Sequence, residues 1–126
     1  MQNRSLSSTQ RWTVARLAFW YLDRGRWQQA ESLTRGLLAL DAQDGLAWKY
    51  YGEARRQKGD LAEAARAYGE ATRHLPDDVE VRVRLGDSLL RLGRVDEARQ
   101  ALEEARRCEV FDAMEQRIDA LLRRCR

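Results

Sequence analysis

The sequence holds a single proline, Pro76, in 126 residues. Proline removes a backbone donor and interrupts helices, so its scarcity leaves the chain open to long helical stretches. No apolar run approaches the ~20 residues a helix needs to cross a bilayer. The segment from Met1 to Gln10 is polar and has no signal-peptide core. Together these absences lead us to expect a cytoplasmic protein. The two cysteines, Cys108 and Cys125, lack metal-ligand spacing and have no histidine nearby. Structural disulfides are rare in the cytosol, so both are expected as free thiols. The one histidine, His74, has no evident partner or pocket for general-base work. No phosphate loop, dinucleotide glycine signature or nucleophile elbow occurs. No enzymatic activity is expected, and no metal or cofactor.

What is present suits helices. Apolar residues make up 44% and charged residues 34%, a balance too apolar for general disorder. The length suits one domain with a core of modest size. The formal charge is +3. Acidic and basic residues alternate as on solvated helix faces, and only Arg123, Arg124 and Arg126 concentrate positive charge. This pattern disfavours a nucleic-acid partner.

The chain matches itself at an offset of 34 residues. Gly25, Gly59 and Gly93 fall in register, as do Ala30, Ala64 and Ala98. Gly52 falls on Gly86, with Ala18 in the first copy. Ala71 falls on Ala105, with Leu37 in the first copy. Three copies at one period indicate a repeat architecture. They span 11–44, 45–78 and 79–112, with a polar segment 1–10 before them and residues 113–126 after.

The middle copy is the clearest. Trp48, Tyr51 and Gly52 share one helix face. Gly59 ends that helix, because it tolerates the left-handed conformation of a helix C-terminus. Asp60 caps a second helix, with Glu63 completing a capping-box pattern. Ala64, Tyr68 and Ala71 form its buried stripe, and Pro76 stops it. Asp77 with Glu80 offers a further capping box, and Asp112 with Glu115 another. Gly52 and Ala64 let two antiparallel helices approach, and the rings of Trp48 and Tyr68 fill the remaining space.

Trp48, Tyr51-Gly52, Gly59, Ala64, Tyr68, Ala71 and Pro76 resemble the pattern of the tetratricopeptide repeat family. Arg55 stands where that family usually has an aromatic. The third copy keeps Leu85-Gly86, Gly93, Ala98, Leu102 and Ala105, with Arg82 for the tryptophan and Val110 for the proline. The first keeps Leu17-Ala18, Tyr21, Gly25 and Ala30, with Val14 for the tryptophan and Thr34 for the aromatic. The resemblance implies an all-α fold: three helix-turn-helix repeats in a short right-handed α-solenoid. Met114, Ile118, Leu121 and Leu122 then recur at helical spacing as a seventh helix, which would close the last repeat.

The resemblance also implies a concave groove lined by the first helix of each pair, at the second, fifth, ninth and twelfth positions of each repeat. In the first copy these are Trp12, Ala15, Phe19 and Leu22. In the second they are Leu46, Lys49, Glu53 and Arg56. In the third they are Glu80, Val83, Asp87 and Leu90. Such a groove is apolar and aromatic at one end and mixed in charge elsewhere. It suits an extended segment of another polypeptide with apolar anchors. Trp20, equivalent to Ala54 and Ser88, would cap the open end or meet a partner, and Trp27 would be core. Arrays that grip the acidic C-terminus of heat-shock chaperones use a lysine and an asparagine in this groove. Lys49 fits the lysine, but Glu53 stands where the asparagine belongs and would repel a carboxylate.

More narrowly, the segment from Arg56 to Ala64, and Leu89 to Gly93 with Glu97-Ala98, are similar to repeats of the type III secretion translocator chaperones. That family holds hydrophobic export substrates in the cytoplasm. Its members carry a longer N-terminal helical extension that supports dimerisation, whereas ten polar residues precede the first copy here. Monomer and homodimer both stay open. The alternative is a general scaffold or assembly factor for a bacterial complex.

Overall fold

A computed structural model describes residues 6–108 and 112–126. Seven helices and no strands occur among them. The order is α1 (Ser8–Asp23), α2 (Trp27–Leu40), α3 (Gly45–Lys58), α4 (Leu61–His74), α5 (Val79–Arg91), α6 (Val95–Arg107) and α7 (Asp112–Arg123). Each helix packs on its neighbour in the chain, α1 also packs on α3, and α7 on α5. The result is a stack of three helix pairs closed by α7. No helix among the described residues is long and apolar enough to cross a membrane.

The turn inside each pair is made by the repeated glycine. Gly25, Gly59 and Gly93 have φ of 71°, 94° and 79°, a region where a side chain is strained. The second helix of the middle pair starts at Asp60, whose side chain accepts from the Glu63 N–H at 3.2 Å. The return half of that capping box is absent: the Glu63 carboxylate accepts from Tyr51 and Arg66 instead. The cap of α5 is Asp78, not Asp77. Asp78 accepts from Val81 N–H at 3.0 Å. The repeat register already contains this answer, since Asp44 lies 34 residues earlier and caps α3 in the same way. The box expected from Asp112 and Glu115 involves a side chain outside the described residues. At the N-terminus, α1 begins at Ser8, before the first copy proper. Ser7 and Gln10 form a reciprocal capping box there, which supplies partners for otherwise unpaired N–H groups.

Within each pair the close approach is set by complementary sizes. A Cβ placed on Gly52 would lie 2.9 Å from the Tyr68 ring, and one on Gly86 would lie 2.5 Å from Leu102. Tyr68 and Leu102 are both buried and cannot yield. In the first pair Ala18 takes the glycine's position, and Thr34 takes that of Tyr68 and Leu102. A larger residue on one helix is matched by a smaller one on the other. Thr34 is fully buried, and its hydroxyl donates to the Ala30 carbonyl at 3.0 Å.

Polar side chains tie the repeats together. Trp48 Nε1 donates to the Ala42 carbonyl at 2.8 Å. Arg82 stands 34 residues on and donates to the Pro76 carbonyl at 3.1 Å, the equivalent acceptor. The arginine thus keeps the hydrogen bond of the tryptophan it replaces, and adds a contact to Glu104 at 2.8 Å. Arg55, in place of an aromatic, reaches Glu31 on α2 at 2.6 Å. Beyond the last pair, Ile118, Leu121 and Cys125 are buried against Ala101, Leu102 and Val83, with Met114 and Leu122 at the edge. That is the apolar face expected of a closing helix.

Candidate functional site: a groove across the three repeats

Helices α3 and α5 approach one another less closely than α1 and α3. A cavity of about 280 Å³ opens over them and α1. Its apolar wall is Phe19 and Leu22 of α1 with Tyr50 of α3. The Phe19 and Tyr50 rings lie 5.7 Å apart at 44°. Phe19 is 54% exposed although aromatic, so its outer face is free for a ligand. The polar wall is Lys49, Glu53 and Gln57 of α3 with Glu80 and Arg84 of α5, and Asp23 ends α1 at the margin. Tyr68 of α4 reaches in behind these helices.

Several of these charges are already engaged. Lys49 Nζ lies 2.9 Å from Asp78 and 3.8 Å from Glu80. Glu53 accepts from Tyr68 Oη at 2.8 Å and from Arg56 Nε at 3.0 Å. Burial alone would raise the Glu53 pKa, but these two donors outweigh it and hold the carboxyl below its usual range. Burial, and then the Glu53 carboxylate, push the Tyr68 hydroxyl well above the ordinary tyrosine range. Burial also raises Tyr50, with Lys49 acting against it. Gln57 Nε2 donates to the Leu22 carbonyl at 2.9 Å, which ties α3 to α1. Its Oε1 is buried and accepts no hydrogen bond among the described residues.

The structure divides the twelve groove positions read from the repeat. Phe19, Leu22, Lys49, Glu53 and Glu80 come together at the cavity. Arg56 stands behind it, paired with Glu53. Trp12 is 56% exposed on α1 but does not line the cavity, and the Arg16 guanidinium lies 4.8 Å over its ring. Ala15 is buried, with half-buried Leu46 beside it, in a cluster with Leu37 and Ala47. In the third repeat, Val83 is fully buried and Leu90 packs beside it, in the cluster that α7 closes. Asp87 is buried as well, 3.3 Å from Arg91 and 3.9 Å from Arg124. The closing helix therefore covers part of the groove face of α5. Trp20 is 44% exposed, edge-on to Tyr21, with Arg24 3.8 Å over its ring. It belongs to a separate shallow depression formed by α1 alone. Trp27 is half-buried against Leu22 and Ala30.

Asp23, Tyr50, Gln57 and Arg84 were missed by the sequence reading, and a signal for them existed. They occupy the sixth and thirteenth positions of their repeats. Those lie four residues beyond the second and ninth, on the other flank of the same helical stripe.

A family model described as a tetratricopeptide repeat matches residues 55–125, more than half of the chain, and a second one matches residues 21–72. No curated protein matches the chain by sequence. Among solved structures, the chain is similar to the type III secretion translocator chaperone SycD of Yersinia enterocolitica, at 21% identity and a TM-score of 0.87. That alignment covers 96% of this chain and 86% of SycD. It is likewise similar to PcrH, solved in complex with the chaperone binding region of PopD. There the identity is 22% and the TM-score 0.87, over 98% of this chain and 96% of PcrH; PcrH is a protein of Pseudomonas aeruginosa. The same fold occurs in the Sgt2 domain of Aspergillus fumigatus, at 17% identity and a TM-score of 0.79, over 98% of this chain and 83% of that one.

Proposed function

Because the chain belongs to the tetratricopeptide repeat family, we propose that it binds an extended segment of a partner polypeptide in the groove over α1, α3 and α5, as a non-enzymatic chaperone of hydrophobic export substrates. The observation that carries this is the half-exposed Phe19 ring, set beside Tyr50 and Leu22 at the mouth of a cavity whose back wall is polar. Contiguous apolar surface beside a cleft marks an interaction site, and aromatic anchors dominate the energetics of such sites. The polar wall offers hydrogen-bonding groups to an extended backbone, and the apolar wall takes its side chains.

The secretion role is supported by the likeness to SycD and PcrH. SycD has been solved with a peptide of the translocator YopD, and PcrH with the binding regions of PopD and PopB. On this reading the protein works in the cytoplasm before export. A general scaffold is the second reading, since the same fold in the Sgt2 domain shows that the likeness in fold extends beyond the secretion chaperones.

Co-expression separates the two. The chaperone should bring a hydrophobic export substrate encoded beside it into a soluble complex. If the substrate stays insoluble and the protein is instead recovered on a folded assembly, the scaffold reading holds. A binding series in rising salt addresses nucleic acid, whose affinity for a basic protein would fall steeply.

A further inference from the structure

The outer face of α1 differs from its counterparts in the later repeats. Ala47 of α3 is buried with Ala15 and Leu37, and Ala54 with Ala18, Leu22 and Ala30. Val81 of α5 is buried with Ala64, Tyr68 and Ala71. Such residues stack each helix pair on the pair before it, and all three are 0% exposed. Their equivalents on α1 are Thr13 and Trp20, and Leu17 matches the buried Tyr51. α1 is the first helix among the described residues, and there Leu17 and Trp20 are each 44% exposed. They join Thr13, Arg16 and Tyr21 in a shallow depression. The stacking face of the array is thus open at α1.

Four exposed residues form one ridge along this face: Trp12, Arg16, Trp20 and Arg24. A spacing of four sets them side by side on a helix. The Arg16 guanidinium lies 4.8 Å over the Trp12 ring, and that of Arg24 lies 3.8 Å over the Trp20 ring. The single acid of α1, Asp23, is not on the ridge. Ridges of this spacing interdigitate in the commonest class of helix crossing. The alternation restricts how two copies can meet. In a parallel contact in register, tryptophan meets tryptophan and arginine meets arginine. About a two-fold axis at the level of Ala18, the helices run antiparallel. Trp12 then faces the partner's Arg24, and Arg16 faces the partner's Trp20. Every rung sets a cation against a ring, which is attractive. Asp23 falls opposite Thr13, so no two acids oppose one another. From this we infer that α1 is the contact surface for a second copy of the chain, in an antiparallel two-fold dimer held by tryptophan–arginine stacking. An anionic surface would ask only for positive charge, whereas the alternation of ring and cation is complementary to itself. None of the four ridge residues lines the peptide cavity, so the inference stands apart from the peptide-binding reading.

The test is sedimentation equilibrium of the full chain over a concentration series, with circular dichroism of each variant. The wild type should show a monomer–dimer equilibrium. W20R and W20E remove the same ring but set opposite charges against the partner's Arg16. The dimer of W20R should be weaker than that of W20E by about tenfold or more, since like charges across an interface repel. The gap should close in high salt. The double exchange R16E/W20R restores opposite charges across the axis and should recover the association that W20R loses. In a parallel contact residue 20 would meet itself, and W20R and W20E would fall alike. Equal loss in those two variants would therefore overturn the antiparallel pairing. Should W20R not fold, the comparison of wild type, W20E and the double exchange decides. A wild type that stays monomeric at every concentration would overturn the dimer. If that monomer instead co-sediments with phosphatidylglycerol vesicles, the face belongs to a membrane.

Discussion

The Tyr68 hydroxyl donates to the Glu53 carboxylate at 2.8 Å. One side chain thereby joins the packing of a helix pair to the wall of the groove. The Tyr68 ring fills the space beside Gly52, and its hydroxyl holds a groove carboxylate in place. Tyr68→Phe keeps the ring and removes the donor. It should cost about 1 kcal/mol in urea denaturation, with the helical content unchanged.

The same pair sets a pH dependence. The Glu53 pKa is depressed in the folded state from an ordinary value of 4.5. Its contribution to stability is therefore present above pH 4.5 and lost as pH falls through the folded value. The Tyr68 pKa is raised from an ordinary value of 10.0, so its contribution is present below pH 10 and lost above it. Urea midpoints measured across the pH range should fall at both ends. Glu53→Gln should flatten the acid limb, and Tyr68→Phe the alkaline one. An alkaline limb unchanged in Tyr68→Phe would assign it to another group.

Two glycines inside helices should respond oppositely to alanine. At Gly52 the added Cβ meets the buried Tyr68 ring at 2.9 Å, so Gly52→Ala should destabilise by roughly 1–3 kcal/mol. At Gly36, in α2, nothing lies within 4 Å. Gly36→Ala should stabilise by about 0.5–1 kcal/mol through helix propensity alone. Thermal melts of the two variants make the comparison, and the larger Gly52→Leu should be worse than Gly52→Ala.

Phe19 is predicted to matter for ligand and little for folding. Its ring is 54% exposed, so Phe19→Ala should cost well under the ~3–5 kcal/mol of a buried phenylalanine. Peptide affinity should fall about tenfold or more, as for an interface hot spot. Fluorescence anisotropy and a thermal melt on the same sample give both numbers. A stability loss of core size would show that the ring is packing rather than waiting for a partner.

Arg55 and Glu31 form the ionic link between the first and second repeats, at 2.6 Å and with both side chains largely buried. A double-mutant cycle with Arg55→Met and Glu31→Gln should give a coupling energy of about 1 kcal/mol. Coupling near zero would mean that Arg55 acts through its contact with Tyr51 instead.

Much of the fold was legible because repeat signals are local. The turn glycines, the Gly52–Tyr68 and Gly86–Leu102 pairs and the apolar face of the closing helix can each be read from spacing. The Thr34 substitution looked like a departure, yet the opposing Ala18 compensates it. That trade was visible only once the two helices lay face to face. The cap at Asp78 lies in register with Asp44, 34 residues earlier, but the local spacing of Asp77 and Glu80 competes with that signal. The groove was legible in part. Phe19, Leu22, Lys49, Glu53 and Glu80 were read as lining residues and meet at the cavity. Val83, Asp87 and Leu90 were also read as lining, but they pack beneath the closing helix or are paired beside it.

The sequence by itself determined the repeat, the helix pairs and their turns, since these depend on contacts within about one period of the chain. It also placed an aromatic excess in the first repeat. Only the tertiary structure decided which flank of each helix faces the groove and which charges there are already spent. Lys49 is paired with Asp78 at the end of its own repeat and, at 3.8 Å, with Glu80 of the next, while Arg84 acts on the Glu53 carboxylate across the cavity. The reason is physical. A charge is paired or free according to the distance between side chains on different helices. That distance is fixed by how closely each pair packs and by where the closing helix lies.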